Sequence, residues 1–441
     1  MELKRHELNF NRFRKTWLRS GYFYFLFILA VLTGFLILTD FDYVKEMTVV
    51  NEPATPMVPP EPQFTILQKI QEGIGLLEKS KPLEYNSNRK QVALAILDQN
   101  TGKIFEHRVW VREDEIKNYK KTGVINLQPE PLRSNLNSGG LTSTGDYQSS
   151  IPIKVVWWNS FNTDYAFPEN PELVVIANKY PFPSSYLAGL PEKSAKQYTD
   201  IIYAPYSGRL QSPEIIEAGK KYLEESINQA FAELDAKRVV SLSDTHTLVT
   251  AGINKDFISN IILIEHIDPD GFNTATDGGK ELSERVLTVI GANQGSAYRY
   301  TGSPAGASGM AQFIKSTYDL MVTRYPQAKL IKNYNAGMAN HVNAIKAMVL
   351  FFDSYKKDIA GKITRRDIVQ SLGITEDMLA ATYNGGPSRV ANSVNKFGLA
   401  WFNGQLRLST ATRILRQETL NYVKKFQAIK NLELFANISV N

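Results

Sequence analysis

Three short stretches of this 441-residue chain combine glycines, amides, a tyrosine and a carboxylate. Residues 305–313, AGASGMAQF, place small residues ahead of Gln312, and residues 382–387, TYNGGP, place Tyr383 and Asn384 ahead of two glycines. Glycine lets a backbone bend sharply and lets a ligand approach it closely. Glycines beside amide side chains therefore predict the floor of a groove that binds a polar, chain-like substrate.

The carboxylate is Glu265, which ends the apolar stretch 257–265, FISNIILIE. On a helix it shares a face with Ile261 and Ile262. Burial disfavours the ionised form, and the negative end of the helix dipole acts in the same direction, so we expect a raised pKa for this carboxyl group. A carboxyl group that is still protonated near neutral pH is what a general acid requires. A glutamate that reaches solvent at a fraying helix end is the alternative.

The first residues predict a membrane anchor. Residues 1–20 carry a net charge of +4, out of +6 for the whole chain, and residues 21–39 contain no charged side chain. As a helix this segment spans roughly 28 Å, enough for a bilayer core. The basic tail is expected to stay in the cytoplasm, which places the rest of the chain outside the cytoplasmic (inner) membrane. A cleaved signal peptide and a buried core helix are the alternatives.

Composition divides the remaining chain into three parts. The prolines of residues 40–63 predict an extended linker. Residues 64–211 predict a small mixed α/β accessory domain of unassigned role. Residues 212–441 show a helical pattern that begins at a Ser-Pro-Glu helix start. The predicted fold class is therefore α+β, with an N-terminal transmembrane helix, the accessory domain and a C-terminal all-α domain.

Hydrophobic spacing also predicts individual elements. In the accessory region we expect a helix over 64–80 and strands over 91–98, 103–111, 153–158 and 173–177. In the helical region we expect helices near 212–236, 253–267, 281–292, 308–325, 338–357, 365–372, 375–383, 387–397 and 409–430.

Taken together, the motifs resemble those of the lytic transglycosylase family over about residues 250–430. In that family a Glu ends an apolar helix, a Gly-x-x-Gly-x-x-Gln segment follows, and an Ala-Tyr-Asn-x-Gly segment comes later. A fourth family element, Glu-Thr followed by Tyr-Val, corresponds to residues 418–423 here. The resemblance implies a lysozyme-like fold for the all-α domain. It also implies cleavage of the β-1,4 bond between N-acetylmuramic acid and N-acetylglucosamine in peptidoglycan.

The resemblance further implies a role for single residues. Glu265 would be the one catalytic residue, which protonates the glycosidic oxygen and later removes the proton from the muramic acid C6 hydroxyl, closing a 1,6-anhydro ring. Gln312 and Tyr383 would bind the sugar and its N-acetyl group. Asn384 would lie near Glu265 or orient Tyr383. The other substrate-binding candidates are Gly309, Met310, Tyr298 and Tyr300. For the two tyrosines, an ordinary surface or core position is the alternative.

The chain departs from the family pattern at three points. His266 stands where the family usually has Ser, Ala311 precedes the glutamine, and the glutamate and glutamine are 47 residues apart. The long gap leaves Glu281 and Glu284 as rival acids. Only Glu265 closes a continuous apolar helix, so it is the predicted acid.

Two other functions stay open at this point. A hydrolytic muramidase of the same fold would need a second carboxylate, for which Asp268, Asp270 and Asp277 are the candidates. A non-catalytic peptidoglycan-binding protein of envelope assembly is the other alternative.

The expected partners are peptidoglycan glycan strands, with an envelope or secretion machine as a further candidate. We expect no metal, because the five histidines show no ligand spacing, and no cofactor. We expect no nucleic acid, because the net charge is concentrated in the N-terminal tail.

Overall fold

The structure is a computed structural model that describes residues 64–86, 88–122, 125, 127–129, 151–184, 198–303 and 305–435. The predicted basic tail, the membrane segment 21–39 and the linker 40–63 lie outside these residues. Within the described ranges, no helix is long and apolar enough to cross a membrane. The fold is mixed α+β, mostly helical with a small antiparallel sheet, which confirms the predicted class at this level.

Five strands form an antiparallel sheet in the order β3-β2-β1-β6-β7, and two form a separate antiparallel ribbon, β4-β5. The strands are β1 (Arg89–Asp98), β2 (Ile104–Arg112), β3 (Gln128–Pro129), β4 (Lys154–Trp157), β5 (Asp164–Ala166), β6 (Leu173–Pro183) and β7 (Tyr198–Tyr203). The pairing of β1 with β2 confirms the predicted hairpin.

Strand β1 is the centre of the sheet and is buried on both faces. Ala93, Ala95 and Leu97 cluster with apolar side chains of helix α1 (Ile66–Lys79). The alternate residues between them belong to a second cluster, which continues into the helical region. The alternation of side chains along the strand thus connects α1 to one face of the sheet and the helical core to the other.

The helices that follow α1 in the chain are α2 (Glu113–Thr122), α3 (Pro213–Ala236), α4 (Lys255–His266), α5 (Pro269–Thr274), α6 (Lys280–Asn293), α7 (Lys315–Arg324), α8 (Tyr334–Ala339), α9 (His341–Lys362), α10 (Arg366–Leu372), α11 (Glu376–Gly385), α12 (Pro387–Phe397), α13 (Asn403–Leu406) and α14 (Gln417–Lys430). The start of α3 is confirmed, since the side chain of Ser212 accepts a hydrogen bond from the backbone N–H of Ile215.

Two predicted helices begin later than expected. The helix predicted from residue 308 begins only at Lys315, because Gly309 and Gln312 have φ angles of +71° and +48°, which an α-helix excludes. The helix predicted from residue 409 begins at Gln417. Before it, the side chain of Gln405 accepts hydrogen bonds from the backbone N–H groups of residues 414 and 415, which takes the place of helical bonding.

Candidate active site

A cavity of about 690 Å³ lies where the β4-β5 ribbon meets the helical region. Helix α4 contributes Glu265 and His266 to its wall, the ribbon contributes Trp157 and Asp164, and α6 contributes Arg285. The predicted acid therefore lines a cavity together with charged and aromatic side chains from distant parts of the chain.

Glu265 lies in the last turn of α4, as predicted from the apolar stretch before it. The eight residues 257–264 are all buried, whereas Glu265 itself is half-buried. The end of the helix is held by Lys425 of α14, whose Nζ donates hydrogen bonds to the carbonyl oxygens of Ile264 (2.6 Å) and Ile267 (3.0 Å). A cation bonded to these carbonyl groups satisfies acceptors that a helix leaves free at its end.

Burial raises the pKa of the Glu265 carboxyl group to about 7. Two contacts from α14 oppose this rise: the Tyr422 hydroxyl donates a hydrogen bond to Oε1 at 2.5 Å, and the Lys425 ammonium group favours the ionised form. The negative charge of Glu418 acts in the other direction. Near neutral pH the carboxyl group therefore exists in both its protonated and its ionised form.

The rival acids lie elsewhere. Glu281 is exposed, and Glu284 forms an ion pair with Lys280 on the same helix. Neither residue lines the cavity that contains Glu265. Their positions favour Glu265 as the acid.

Of the three aspartates considered as a second carboxylate, Asp268 alone lines the cavity. Its Oδ2 accepts a hydrogen bond from the backbone N–H of Gly271 (2.6 Å), so it caps α5. Asp270 is exposed, and Asp277 accepts hydrogen bonds from the backbone N–H groups at the start of α6.

The glycine-rich segment forms a tight turn against α8. A Cβ atom on Gly309 would lie 2.6 Å from the carbonyl oxygen of Met338, so glycine is required there by space as well as by its positive φ. Gln312 bends back, and its Nε2 donates to the carbonyl oxygen of Gly309 (2.7 Å). Met310, between them, is fully buried.

The next two carbonyl groups of this turn are bound by side chains from other helices. His266 Nε2 donates to the Met310 oxygen at 2.9 Å, and the Tyr383 hydroxyl donates to the Ala311 oxygen. The His266 ring stacks on Tyr298, with ring centroids 3.6 Å apart. Burial lowers the pKa of His266 to about 4, so the ring is neutral near pH 7. His266, which stands where the family named in the sequence analysis usually has Ser, thus attaches the turn to the end of α4.

The second polar motif packs beside Glu265. Burial raises the pKa of the Tyr383 hydroxyl well above its ordinary value, and the nearby charge of Glu265 adds to the rise. Asn384 donates from Nδ2 to Glu418 (3.1 Å) and accepts a hydrogen bond from the hydroxyl of Thr419 (2.8 Å). These bonds join α11 to α14, so the later two motifs meet at the helix that also supplies Tyr422.

Six of the seven sequence-predicted binding residues do not line the cavity of Glu265: Gln312, Tyr383, Asn384, Gly309, Met310 and Tyr300. Gln312 and Tyr383 use their polar groups in the turn described above, although Thr301, which lines the cavity, lies 3.4 Å from Gln312 Nε2. Tyr300 lines a different cavity of about 460 Å³ and packs edge-on against Phe161 and Tyr203. Tyr298 does line the cavity of Glu265.

Four residues that line the cavity together with Glu265 were not predicted from the sequence. Trp157 and Asp164 lie in the ribbon, Arg285 lies on α6, and Tyr206 follows β7. No motif or period links these positions in the sequence, because tertiary packing brings them together. In the described part of the chain, no group of three or more His, Asp or Glu side chains is arranged to hold a metal ion.

Replacing Glu265 by Gln is expected to stabilise the protein more at pH 8 than at pH 5. Between about pH 4.5 and 7 the unfolded chain ionises this group while the folded chain keeps the proton, so wild-type stability falls as pH rises. The free-energy difference between the variant and the wild type should grow by on the order of 2 kcal/mol over this interval. Chemical denaturation of both proteins at the two pH values measures it.

Glu281→Gln provides the matched control, because its side chain is exposed on α6. The control should stay within about 0.5 kcal/mol of the wild type at both pH values. An unchanged difference between wild type and Glu265→Gln at pH 5 and pH 8 would show that the carboxyl group is not protonated in the folded state.

Comparison with known proteins gives no match: no family model, no curated protein and no solved structure is similar to this chain.

Proposed function

We propose that this protein is a peptidoglycan lytic transglycosylase with Glu265 as its single catalytic residue. The observation that carries the proposal is a half-buried carboxyl group on a cavity wall, whose pKa burial raises to about 7. A group with this pKa can donate a proton and take one back within one catalytic cycle. The motif resemblance over residues 250–430 supports the choice of a glycan substrate.

The proposed reaction needs one carboxyl group and no water. In the first step Glu265 gives its proton to the glycosidic oxygen while the bond from that oxygen to C1 of muramic acid breaks. The N-acetyl group of the same sugar stabilises the positive charge that develops at C1. In the second step the Glu265 carboxylate removes the proton from the C6 hydroxyl, and the C6 oxygen bonds to C1. The product is a 1,6-anhydro sugar, and Glu265 regains its starting form.

Tyr422 and Lys425 have distinct roles in this proposal. The Tyr422 hydroxyl bonds the carboxylate oxygen directly, so it orients the group and stabilises its ionised form between the two steps. Lys425 donates hydrogen bonds to two carbonyl groups at the end of α4 and thereby fixes the position of Glu265. Its positive charge also favours the ionised carboxylate. Both are positioning residues.

The location in the cell is part of the same proposal. Residues 21–39 would anchor the chain in the cytoplasmic membrane, and the linker 40–63 would let the folded part reach the glycan strands outside it. The residues that line the cavity all follow this linker in the chain.

A hydrolytic muramidase is the second candidate, because Asp164 brings another carboxylate to the cavity. One Asp164 oxygen is buried without a hydrogen-bond partner among the residues that the structure describes, and burial raises the pKa of this group. Hydrolysis of the usual kind needs such a second carboxylate as nucleophile or base. The mass of the product decides, since a hydrolysed fragment is heavier than the anhydro form by one water.

Glu265→Gln is expected to reduce the release of anhydro-muropeptides from purified sacculi by at least about a hundredfold, because the amide can neither give nor accept the proton. Mass spectrometry of the digest measures both the amount and the water content of the products. Glu281→Gln, whose side chain does not line the cavity, should retain activity. Undiminished release by the Glu265 variant would reject this assignment of the acid, and products that contain the extra water would favour the muramidase.

Tyr422→Phe is expected to move the high-pH limb of kcat/KM to higher pH. The variant lacks the hydrogen bond that favours the ionised carboxylate, so the pKa of Glu265 rises and the active acid persists further into alkaline solution. Glu418→Gln removes a negative charge that raises this pKa, so its limb should move to lower pH. Profiles of kcat/KM against pH for the three proteins test this, and limbs that coincide would contradict it.

A further inference from the structure

The cavity is lined by Arg285, whose N–H donors have no hydrogen-bond partner in the described part of the chain. The Arg285 guanidinium lies over the ring of Tyr206, 4.2 Å from its centroid, and 5.5 Å from the ring centroid of Trp157. Among the described residues it forms no hydrogen bond and no ion pair, although a guanidinium carries five N–H donors. The two rings hold the group in place while its N–H donors stay free for a ligand.

The aromatic wall around Arg285 is also open. Trp157, at the end of β4, is 41% exposed, so part of its indole ring is accessible to a ligand. It lines the same cavity as Glu265, and so do Tyr206 and Arg285. An exposed indole beside an unpaired guanidinium forms a surface that can contact the apolar face of a sugar and an acidic group at the same time.

The carboxylates that line the cavity with Arg285 indicate which kind of ligand the guanidinium can bind. Asp164 and Asp268 line the same cavity. Burial raises the pKa of Asp164 and the charge of Arg285 opposes this rise, yet no carboxylate oxygen of either residue lies within ion-pair distance of the guanidinium. The Arg285 guanidinium therefore forms no salt bridge with the residues that the structure describes. A planar, bidentate carboxylate is the group that an arginine fork binds best.

We propose that Arg285, held between Tyr206 and Trp157, binds a carboxylate carried by the glycan substrate and thereby selects acidic muramic-acid chains over uncharged amino-sugar chains. This inference rests on the proposed function, since it names the substrate feature that the same cavity recognises. The carboxylate has two sources, the lactyl group of a muramic acid without peptide and the peptide attached to that lactyl group.

The test measures binding to the full chain carrying Glu265→Gln, so that the ligands stay intact. Calorimetric titration uses a disaccharide peptide, the glycan stripped of peptide by an amidase, and chitohexaose as the uncharged ligand. Adding Arg285→Gln should weaken binding of a carboxylate ligand by about tenfold or more, as expected for loss of a charge-assisted hydrogen bond. Binding of chitohexaose should change by less than about twofold. The carboxylate ligand that loses affinity identifies the source of the group.

Two further variants control for structure. Arg299→Gln removes another arginine that lies over a tyrosine, 5.9 Å from the ring centroid of Tyr300, but in the other cavity, and it should leave all three affinities unchanged. Arg285→Lys keeps the charge without the planar fork and should give an intermediate loss. Equal weakening for chitohexaose, no weakening for either carboxylate ligand, or no binding of any ligand overturns the inference.

The binding experiment is independent of the reaction. If carboxylate binding depends on Arg285 but the wild-type protein releases no anhydro product, the proposed function fails and the recognition site stands. If anhydro product forms but binding is indifferent to Arg285, the recognition site fails and the proposed function stands.

Discussion

The burial of one carboxyl group is the constraint on which the rest of the site depends. Eight buried residues of α4 bring Glu265 to the edge of the core, where its ionised form loses water. A lone ionised carboxylate in such a place is costly, and α14 supplies the compensation through the Tyr422 hydroxyl and the Lys425 ammonium group. The balance between desolvation and these two contacts leaves the group able to exchange a proton near neutral pH.

The same contacts fix the geometry of the surrounding backbone. Lys425 closes the end of α4, and His266, the next residue after the acid, bonds the glycine-rich turn. Tyr383 bonds the following carbonyl group of that turn from α11. Hence α4, α11, α14 and the glycine-rich turn meet near the carboxyl group. The hydrogen bonds that join them lie in largely apolar surroundings. Such bonds are costly to break because the groups left unpaired lie away from water.

Local sequence patterns predict the position of the acid and one hairpin, but they do not predict the turn at Gly309 or the cavity wall formed by Trp157 and Arg285. The apolar run before Glu265 predicted a buried helix with the acid in its last turn, and a two-strand pattern predicted the β1–β2 hairpin. The prediction of a helix at Gly309 is wrong, because small residues are compatible with both a helix and a turn. The turn requires glycine there, because the Met338 carbonyl group occupies the space that a Cβ atom would need. The wall formed by Trp157 and Arg285 had no local signal, because its parts are over a hundred residues apart and meet only through tertiary packing.

The most direct test is a titration of the Glu265 carboxyl carbon by nuclear magnetic resonance in protein labelled at glutamate, with the signal assigned by its loss in Glu265→Gln. We expect a midpoint near pH 7, because burial raises the pKa of the group and the contacts from α14 oppose part of that rise. A midpoint near the ordinary value of 4.5 would contradict it, because the group would then be ionised at neutral pH and unable to act as the acid.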